Sequence, residues 1–256
     1  MRLRLFLLAV LVAGLSRSVA AEADGPVSVV ITYRARPETR VAFRAWLETK
    51  GAAQFARWQA EGVFARAQIL FGSLTANAPI DAVAILDFAR YTDSAQWKQV
   101  ERQFPGGLPP EALQLAAQAS AHYADRICHG ASASREPAQS AYLVAFYEVL
   151  ADMPKYRDYA RGYVEPQLRG WIEAGVLSGY TMLANQAPLH HPWDALLVLE
   201  YTDLAGLARR DDVKKAVRTR LAATDPAWAE WSKDKSDVRK ELSLFVADAI
   251  LLPAAP

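Results

Sequence analysis

The apolar positions of this chain change period several times, and each change marks an element. Val27-Ser28-Val29-Val30-Ile31-Thr32-Tyr33 is a β-branched run bounded by Arg36-Pro37-Glu38, which predicts a strand. Phe43, Trp46, Leu47, Gly51, Phe55 and Trp58 then recur at steps of mostly three and four, one apolar face of a helix. Glu61-Gly62 stops that helix with a glycine at its C-terminal end. Residues 64–74 predict a second strand, 75–79 a turn and 81–88 a third strand. Thr92-Asp93-Ser94 can cap a helix carrying Ala95, Trp97 and Val100, with Pro105-Gly106-Gly107-Leu108-Pro109-Pro110 as a loop behind it. A further helix near Glu111 and a strand over 123–129 complete the order strand, helix, strand, strand, helix, strand.

The same order then returns. Strands are predicted over 141–147, 179–185, 193–201 and 243–251. A helix carries Tyr156, Tyr159, Ala160, Val164, Leu168, Trp171 and Ile172, with a kink expected just before Pro166. Thr202-Asp203 caps a helix running into Val213 and Val217, and another contains Trp228 and Trp231. Trp58-Gln59-Ala60-Glu61-Gly62-Val63 matches Trp171-Ile172-Glu173-Ala174-Gly175-Val176 at an offset of 113. That offset also carries Asp81 onto Asp194, Asp87 onto Glu200 and Phe43-Arg44 onto Tyr156-Arg157, while Tyr147 stands near the place of Tyr33. A period of this length implies two copies of a small domain rather than a solenoid. The offset is lost in the second helical connection, where the copies differ most.

Each βαββαβ unit makes a four-stranded antiparallel sheet with both helices on one face. In 27–33 and 141–147 both parities are mostly apolar, so the other face is covered as well. The expected fold is therefore α+β: two tandem ferredoxin-like βαββαβ units packed sheet to sheet as a fused pseudo-two-fold α/β barrel. The expected units span residues 24–130 and 141–256, joined by an Ala/Ser-rich linker at 131–140. The order of elements, the repeated Trp-x-x-x-Gly-Val and the Leu199-Glu200-Tyr201-Thr202-Asp203 run resemble the dimeric α/β-barrel superfamily. The closest likeness is to its antibiotic-biosynthesis monooxygenase-like and NIPSNAP-like branches, here as a tandem fusion. The resemblance implies a fold shared by cofactor-independent monooxygenases, haem-degrading enzymes, chlorite dismutase-like haem proteins and polyketide cyclases, so it does not choose a function.

The N-terminus adds an address. Arg2 and Arg4 precede an apolar run from Leu5 to Leu15, and Ser18-Val19-Ala20 and Ala21-Glu22-Ala23 follow. This reads as a secretory signal peptide over residues 1–23, cleaved near 20–23, and predicts a periplasmic or secreted protein with no membrane span after cleavage. Removing those residues takes three arginines and one glutamate from a chain of formal charge +1 and leaves −1. A near-neutral chain with interspersed charges offers no footprint for nucleic acid. The single Cys128 cannot form an internal disulfide and is expected as a buried, inert thiol.

Candidate chemistry is sparse. His190-His191 could supply an axial haem ligand or a general base, or form an exposed loop; adjacent side chains on extended backbone point apart, so both on one metal is not expected. Asp87 and Glu200 are twinned carboxylates on equivalent third strands. They would point into the barrel if Leu86, Phe88, Leu199 and Tyr201 face the helices. Facing acids in a low-dielectric cavity could transfer protons; the alternative is that they pair with arginine at strand ends. Tyr33, Tyr147, Trp97 and Trp193 could line an aromatic pocket or simply pack the core. No zinc, P-loop, dinucleotide or serine-hydrolase motif appears, so no metal or cofactor is expected. The first reading is an exported small-molecule-binding or accessory protein taking a small apolar or aromatic ligand. The second is a cofactor-independent monooxygenase or isomerase using Asp87, Glu200 or a histidine as base, and the third a haem-binding protein. A fused pseudo-dimer could stand as a monomer or dimerise further.

Overall fold

The structure, a computed structural model, describes residues 24–74, 80–133, 136–186, 192–233 and 237–254. Residues 1–23 and the His190-His191 pair lie outside the described residues. Eight strands form one closed antiparallel barrel: β1 (Val27–Ala35), β2 (Arg66–Gly72), β3 (Ala82–Phe88), β4 (Ala116–Ala131), β5 (Ala141–Val149), β6 (Leu177–Asn185), β7 (Ala195–Tyr201) and β8 (Arg239–Ile250). Around the barrel the order is β4-β1-β3-β2 and then β8-β5-β7-β6, closed by β2 on β8 and β6 on β4. The second run is the first advanced by four strands. Closure leaves no sheet edge to pair with another chain.

The parity left open by the sequence is settled by the packing. Val30, Leu70, Val83 and Ile85 from the first half meet Tyr142, Val144, Phe146, Leu183, Leu196 and Val198 from the second inside the barrel. The other parity, with Ile31, Tyr33, Leu86 and Phe88, or Leu197, Leu199 and Tyr201, packs against helices outside. Most residues of β1 and β5 therefore have an apolar partner on whichever side they face, which is why these two strands do not alternate with polar residues.

The long helix of each half explains the repeated motif. α1 runs over residues 40–60 as α-turns Arg40–Trp46, a π segment Leu47–Gly51 and α-turns Ala52–Ala60. Its counterpart α4 (residues 153–173) has the same three parts, with the π segment at Ala160–Val164. Buried positions 43, 47, 51 and 55, and again 156, 160, 164 and 168, are spaced by four. Three such steps overshoot an α-helix by roughly 120°. The wider π turn absorbs that excess and keeps all four positions on the sheet. The π segment ends two residues before Pro166, where a kink was expected, but α1 has one without a proline, so spacing is the common cause.

Both helices then end in a Schellman cap. Val63 N–H donates to Trp58 O at 2.9 Å and Gly62 N–H to Gln59 O at 3.1 Å; Val176 and Gly175 make the same bonds to Trp171 and Ile172 at 3.1 and 2.9 Å. Gly62 and Gly175 have φ of 77° and 71°, the left-handed region where a glycine carries no Cβ penalty. The twinned Asp81 and Asp194 also have a structural office. Asp81 Oδ2 accepts from Ala35 N–H at 2.8 Å and Asp194 Oδ2 from Val149 N–H at 2.7 Å, tying the end of the first strand to the start of the third.

The shorter helices are α2 (Ser94–Gln103), α3 (Pro110–Leu113), α5 (Leu204–Ala208), α6 (Arg210–Thr224) and α7 (Pro226–Trp231). Two expectations need correction. Thr92-Asp93-Ser94 does not cap α2 with a side chain; a 3-10 turn, Tyr91–Asp93, leads in, and Asp93 holds Arg90 instead. β4 begins at Ala116, seven residues earlier than expected. Its Ala-Ala-Gln-Ala-Ser-Ala start favours helix locally, but pairing along the whole of β1 overrides that propensity. Cys128 is buried as expected, and burial pushes its thiol up to about 12. Among the described residues no helix is long and apolar enough to cross a membrane.

Candidate functional site

Between the barrel and the helices of the second half lies a cavity of about 460 Å³. Its floor is sheet: Leu143, Ala145 and Tyr147 on β5, Leu197, Leu199 and Tyr201 on β7, Arg239 and Glu241 on β8. Tyr159, Tyr163, Gln167 and Trp171 come from α4, and Arg210, Asp211, Lys214 and Arg218 from α6. The α4 periodicity that buries Leu168 also aims the tyrosines inward. Tyr159 stacks on Tyr163 at 5.2 Å and Tyr163 on Trp228 at 5.1 Å, so one wall is a stack of rings. Trp228 Nε1–H donates to Tyr163 O at 2.9 Å, which fixes that wall.

The polar groups are set on this aromatic frame. Arg239 lies 4.0 Å from the Tyr147 ring centroid and 5.6 Å from that of Tyr159, in cation–π range. Arg218 Nε–H donates to Gln167 Oε1 at 2.7 Å, while Gln167 Nε2 donates to Tyr163 O at 2.7 Å. Burial raises the Tyr147 and Tyr159 phenols against the pull of Arg239, and burial pushes Tyr201 up to about 12. These phenols therefore stay protonated donors at neutral pH. The Tyr163 and Tyr201 hydroxyls, Trp171 Nε1 and Arg239 Nη1 are buried without a hydrogen-bond partner among the described residues. Buried polar atoms in that state are costly unless something else meets them.

The first half is arranged differently: its second connection inserts over the sheet, and its own cavity, about 400 Å³, lies between α2 and β4, lined by Val29, Trp97, Lys98, Glu101, His122 and Tyr123. Pro105-Gly106-Gly107-Leu108 inserts over the sheet, and Leu108 is fully buried. Tyr33 Oη–H donates to Gly106 O at 2.7 Å. A Cβ on Gly107 would sit 2.8 Å from Phe55 and 3.2 Å from Trp97, and φ there is 73°. Only glycine lets the loop press this close. The loss of the 113 offset in this connection thus goes with a different placement of the cavity in the two halves.

The aromatic candidates are consequently scattered rather than gathered. Tyr147 lines the cavity. Tyr33 and Trp97 pack in the filled first-half core, Trp97 against Phe55 and Trp58 at 6.3 and 5.8 Å. Trp193 lies inside the barrel against Phe146 at 5.6 Å. A pocket shared by all four is corrected on this ground: they occupy three separate layers.

Asp87 and Glu200 do point into the barrel and line one smaller cavity, about 250 Å³, at one end of it. Asp87 is not a free acid. It accepts from Ser28 Oγ at 2.7 Å, Arg66 Nε at 2.9 Å and Arg126 at 2.9 Å. Glu200 is buried and accepts from Ser140 Oγ at 3.2 Å. For Asp87 the arrangement is the arginine-paired alternative. His190 and His191 fall outside the described residues, and the large cavity has no histidine, cysteine or methionine among its described lining. No group of three or more metal-ligating side chains occurs among the described residues.

Sequence reading missed Arg239, Arg218 and Gln167. A usable signal was present: Tyr156, Tyr159 and Tyr163 stand 113 positions after Phe43, Trp46 and Lys50, so the second copy has hydroxyl-tipped rings where the first has Phe, Trp and Lys.

No family model matches the chain, and no curated protein matches it. Solved structures do. A candidate monooxygenase from Lactobacillus acidophilus NCFM aligns at 8% identity over 89% of this chain and 95% of that one, TM-score 0.53. A candidate monooxygenase from Fusobacterium nucleatum subsp. nucleatum ATCC 25586 aligns at 9% identity over 90% and 94%, TM-score 0.55. An anthrone oxidase-like protein aligns at 10% identity over 90% and 92%, TM-score 0.54. At such identities the likeness is one of fold: a mixed α/β fold around a closed eight-stranded antiparallel barrel.

Proposed function

We propose that this protein is a small-molecule-binding protein whose ligand, with an apolar or aromatic body, occupies the cavity between barrel and helices in the second half. The observation that supports it best is the cavity itself: about 460 Å³, within the roughly 300–1,000 Å³ range of ligand sites, ring-walled and carrying unpartnered buried polar atoms. In the same reading the chain is a tandem of two ferredoxin-like βαββαβ units, residues 24–130 and 141–256, from a duplicated ancestor. It is exported to the periplasm or beyond after loss of residues 1–23. The second-half unit carries the binding space over β5, β7 and β8, while Pro105-Gly106-Gly107-Leu108 inserts over the sheet of the first.

Calorimetric titration with a panel of one- and two-ring aromatic compounds tests the reading, with Leu199→Trp as the variant that fills the cavity from its floor. Binding that disappears in Leu199→Trp is the expected result. No binding by any compound, or binding indifferent to that substitution, contradicts it.

Monooxygenase is the candidate activity named for two of the structural neighbours, whose likeness is one of fold alone. The cavity offers chiefly protonated phenols and cationic side chains, and of its two carboxylates Asp211 is shared by Arg210 and Lys214, which supports binding over proton abstraction. The donor set does not fit a histidine-ligated haem, since the described lining contains no histidine.

A further inference from the structure

The cavity proposed as the binding site has a chemical bias, and the inference drawn from it rests on that proposal. Four cationic side chains line it, Arg210, Lys214, Arg218 and Arg239, against two acidic ones, Asp211 and Glu241. Asp211 is shared by Arg210 at 3.8 Å and Lys214 at 3.9 Å. Arg218 is turned to an amide oxygen, Gln167 Oε1, instead of a carboxylate. Arg239 rests on the rings of Tyr147 and Tyr159 with its Nη1 unpartnered. The unpartnered buried atoms of the lining are donors or hydroxyls: Arg239 Nη1, Trp171 Nε1 and the Tyr163 and Tyr201 hydroxyls. A buried guanidinium whose neighbours are the neutral Tyr147, Tyr156 and Tyr159 has no counter-charge from them, and a cluster of unmet donors asks for an acceptor-rich, negatively charged guest.

The comparison within the chain sharpens this. Arg239 pairs with Val149 at the start of β8; at the matching place in the first half Ala35 pairs with Ala116. The first half thus has a methyl where the second has a guanidinium. Its planar fork suits a carboxylate, and the ring stack of Tyr159, Tyr163 and Trp228 suits a flat body. We infer that the ligand is a compact aromatic carboxylate, and that Arg239 is the residue that selects its charge.

The test is isothermal titration of the whole protein with 2-naphthoate and with the neutral 2-naphthalenemethanol, in wild type, Arg239→Gln and Arg239→Lys. Wild type is expected to bind naphthoate at least about tenfold more tightly than the alcohol, the scale of one charge-assisted hydrogen bond. Arg239→Gln should erase that preference, costing naphthoate at least about tenfold more affinity than it costs the alcohol, since the charge and the fork are both lost. Should Arg239→Gln not fold, Arg239→Lys decides: it keeps a charge but not the fork, and the preference should fall severalfold. Equal affinities in wild type, or a preference that survives these substitutions, overturns the inference while leaving the binding site standing. If neither probe binds, the proposed site falls and the inference with it.

Discussion

Asp87 was the most attractive catalytic candidate, and its surroundings make a different role measurable. Asp87→Asn keeps the shape but removes the negative charge that holds three donors. The Ser28 hydroxyl bond is buried at 2.7 Å, a contribution of about 1 kcal/mol. The Arg126 pair, 2.9 Å with that side chain 31% exposed, contributes about 1–2 kcal/mol as a partly desolvated charge-assisted contact. The Arg66 pair, also 2.9 Å, involves a side chain 44% exposed and is discounted to about 0.5 kcal/mol by solvent screening. The amide still accepts one hydrogen bond, so the expected net loss is about 2–3 kcal/mol. For a barrel of this size that lowers the melting temperature by about 5–10 °C. Urea denaturation of wild type, Asp87→Asn, Arg126→Gln and the double variant should show a coupling of about 1 kcal/mol or more between the two residues. Ligand binding in the second-half cavity should be unchanged, because that cavity and the one at the barrel end share no lining residue. A loss below about 0.5 kcal/mol, the noise of ordinary surface changes, would refute the structural assignment. So would an Asp87→Asn protein that is fully stable but no longer binds.

Three further outcomes follow from the same geometry. Gly62→Ala and Gly175→Ala should each cost about 1 kcal/mol, and should add, because a Cβ at either meets nothing within 4 Å and the penalty is the left-handed backbone alone; unequal or absent losses in chemical denaturation would refute the shared cap. Tyr201→Phe should leave unfolding stability of the free protein unchanged or slightly raised, since its hydroxyl has no partner among the described residues; a loss above about 1 kcal/mol would reveal a bond the geometry lacks. Tyr180 and Tyr201 are pushed up to about 12 by burial, so the folded state holds their protons more tightly than the unfolded state, whose phenols titrate near 10. That stabilisation is whole below pH 10 and is lost as pH rises through 12. Phenolate absorbance should therefore lag in the folded protein and appear together with alkaline unfolding, whereas simultaneous ionisation of every tyrosine near pH 10 in a folded protein would contradict it.

Most of the architecture was legible because it rests on local, repeated signals. The apolar face from Phe43 to Trp58 and the stop at Gly62 are fixed by period and by glycine, and both recur in the structure. The doubly apolar character of β1 and β5 correctly implied sheets covered on both sides. What failed depends on distant partners. The first third of β4 is alanine-rich and reads as helix, and only its pairing with β1 makes it strand. The π segments are encoded in four-residue spacing that a helical-wheel reading accepts without remark. The inward facing of Asp87 and Glu200 was conditional on a parity that only the packing decides, and Arg66 and Arg126 come from other strands and left no local trace. Arg239 was invisible for a related reason: a charged residue at the edge of a strand looks solvated until α4 and α6 close over it.

The account stands on the open space in the second half, and one crystal structure would test it most directly. Crystals of the protein grown with 2-naphthoate should show the ring against Tyr147 and Tyr163 with its carboxylate on Arg239, and Gly106-Gly107-Leu108 still inserted over the sheet of the first half. A second-half cavity closed by its own side chains, or a ligand seated instead at the barrel end beside Asp87 and Glu200, would contradict it.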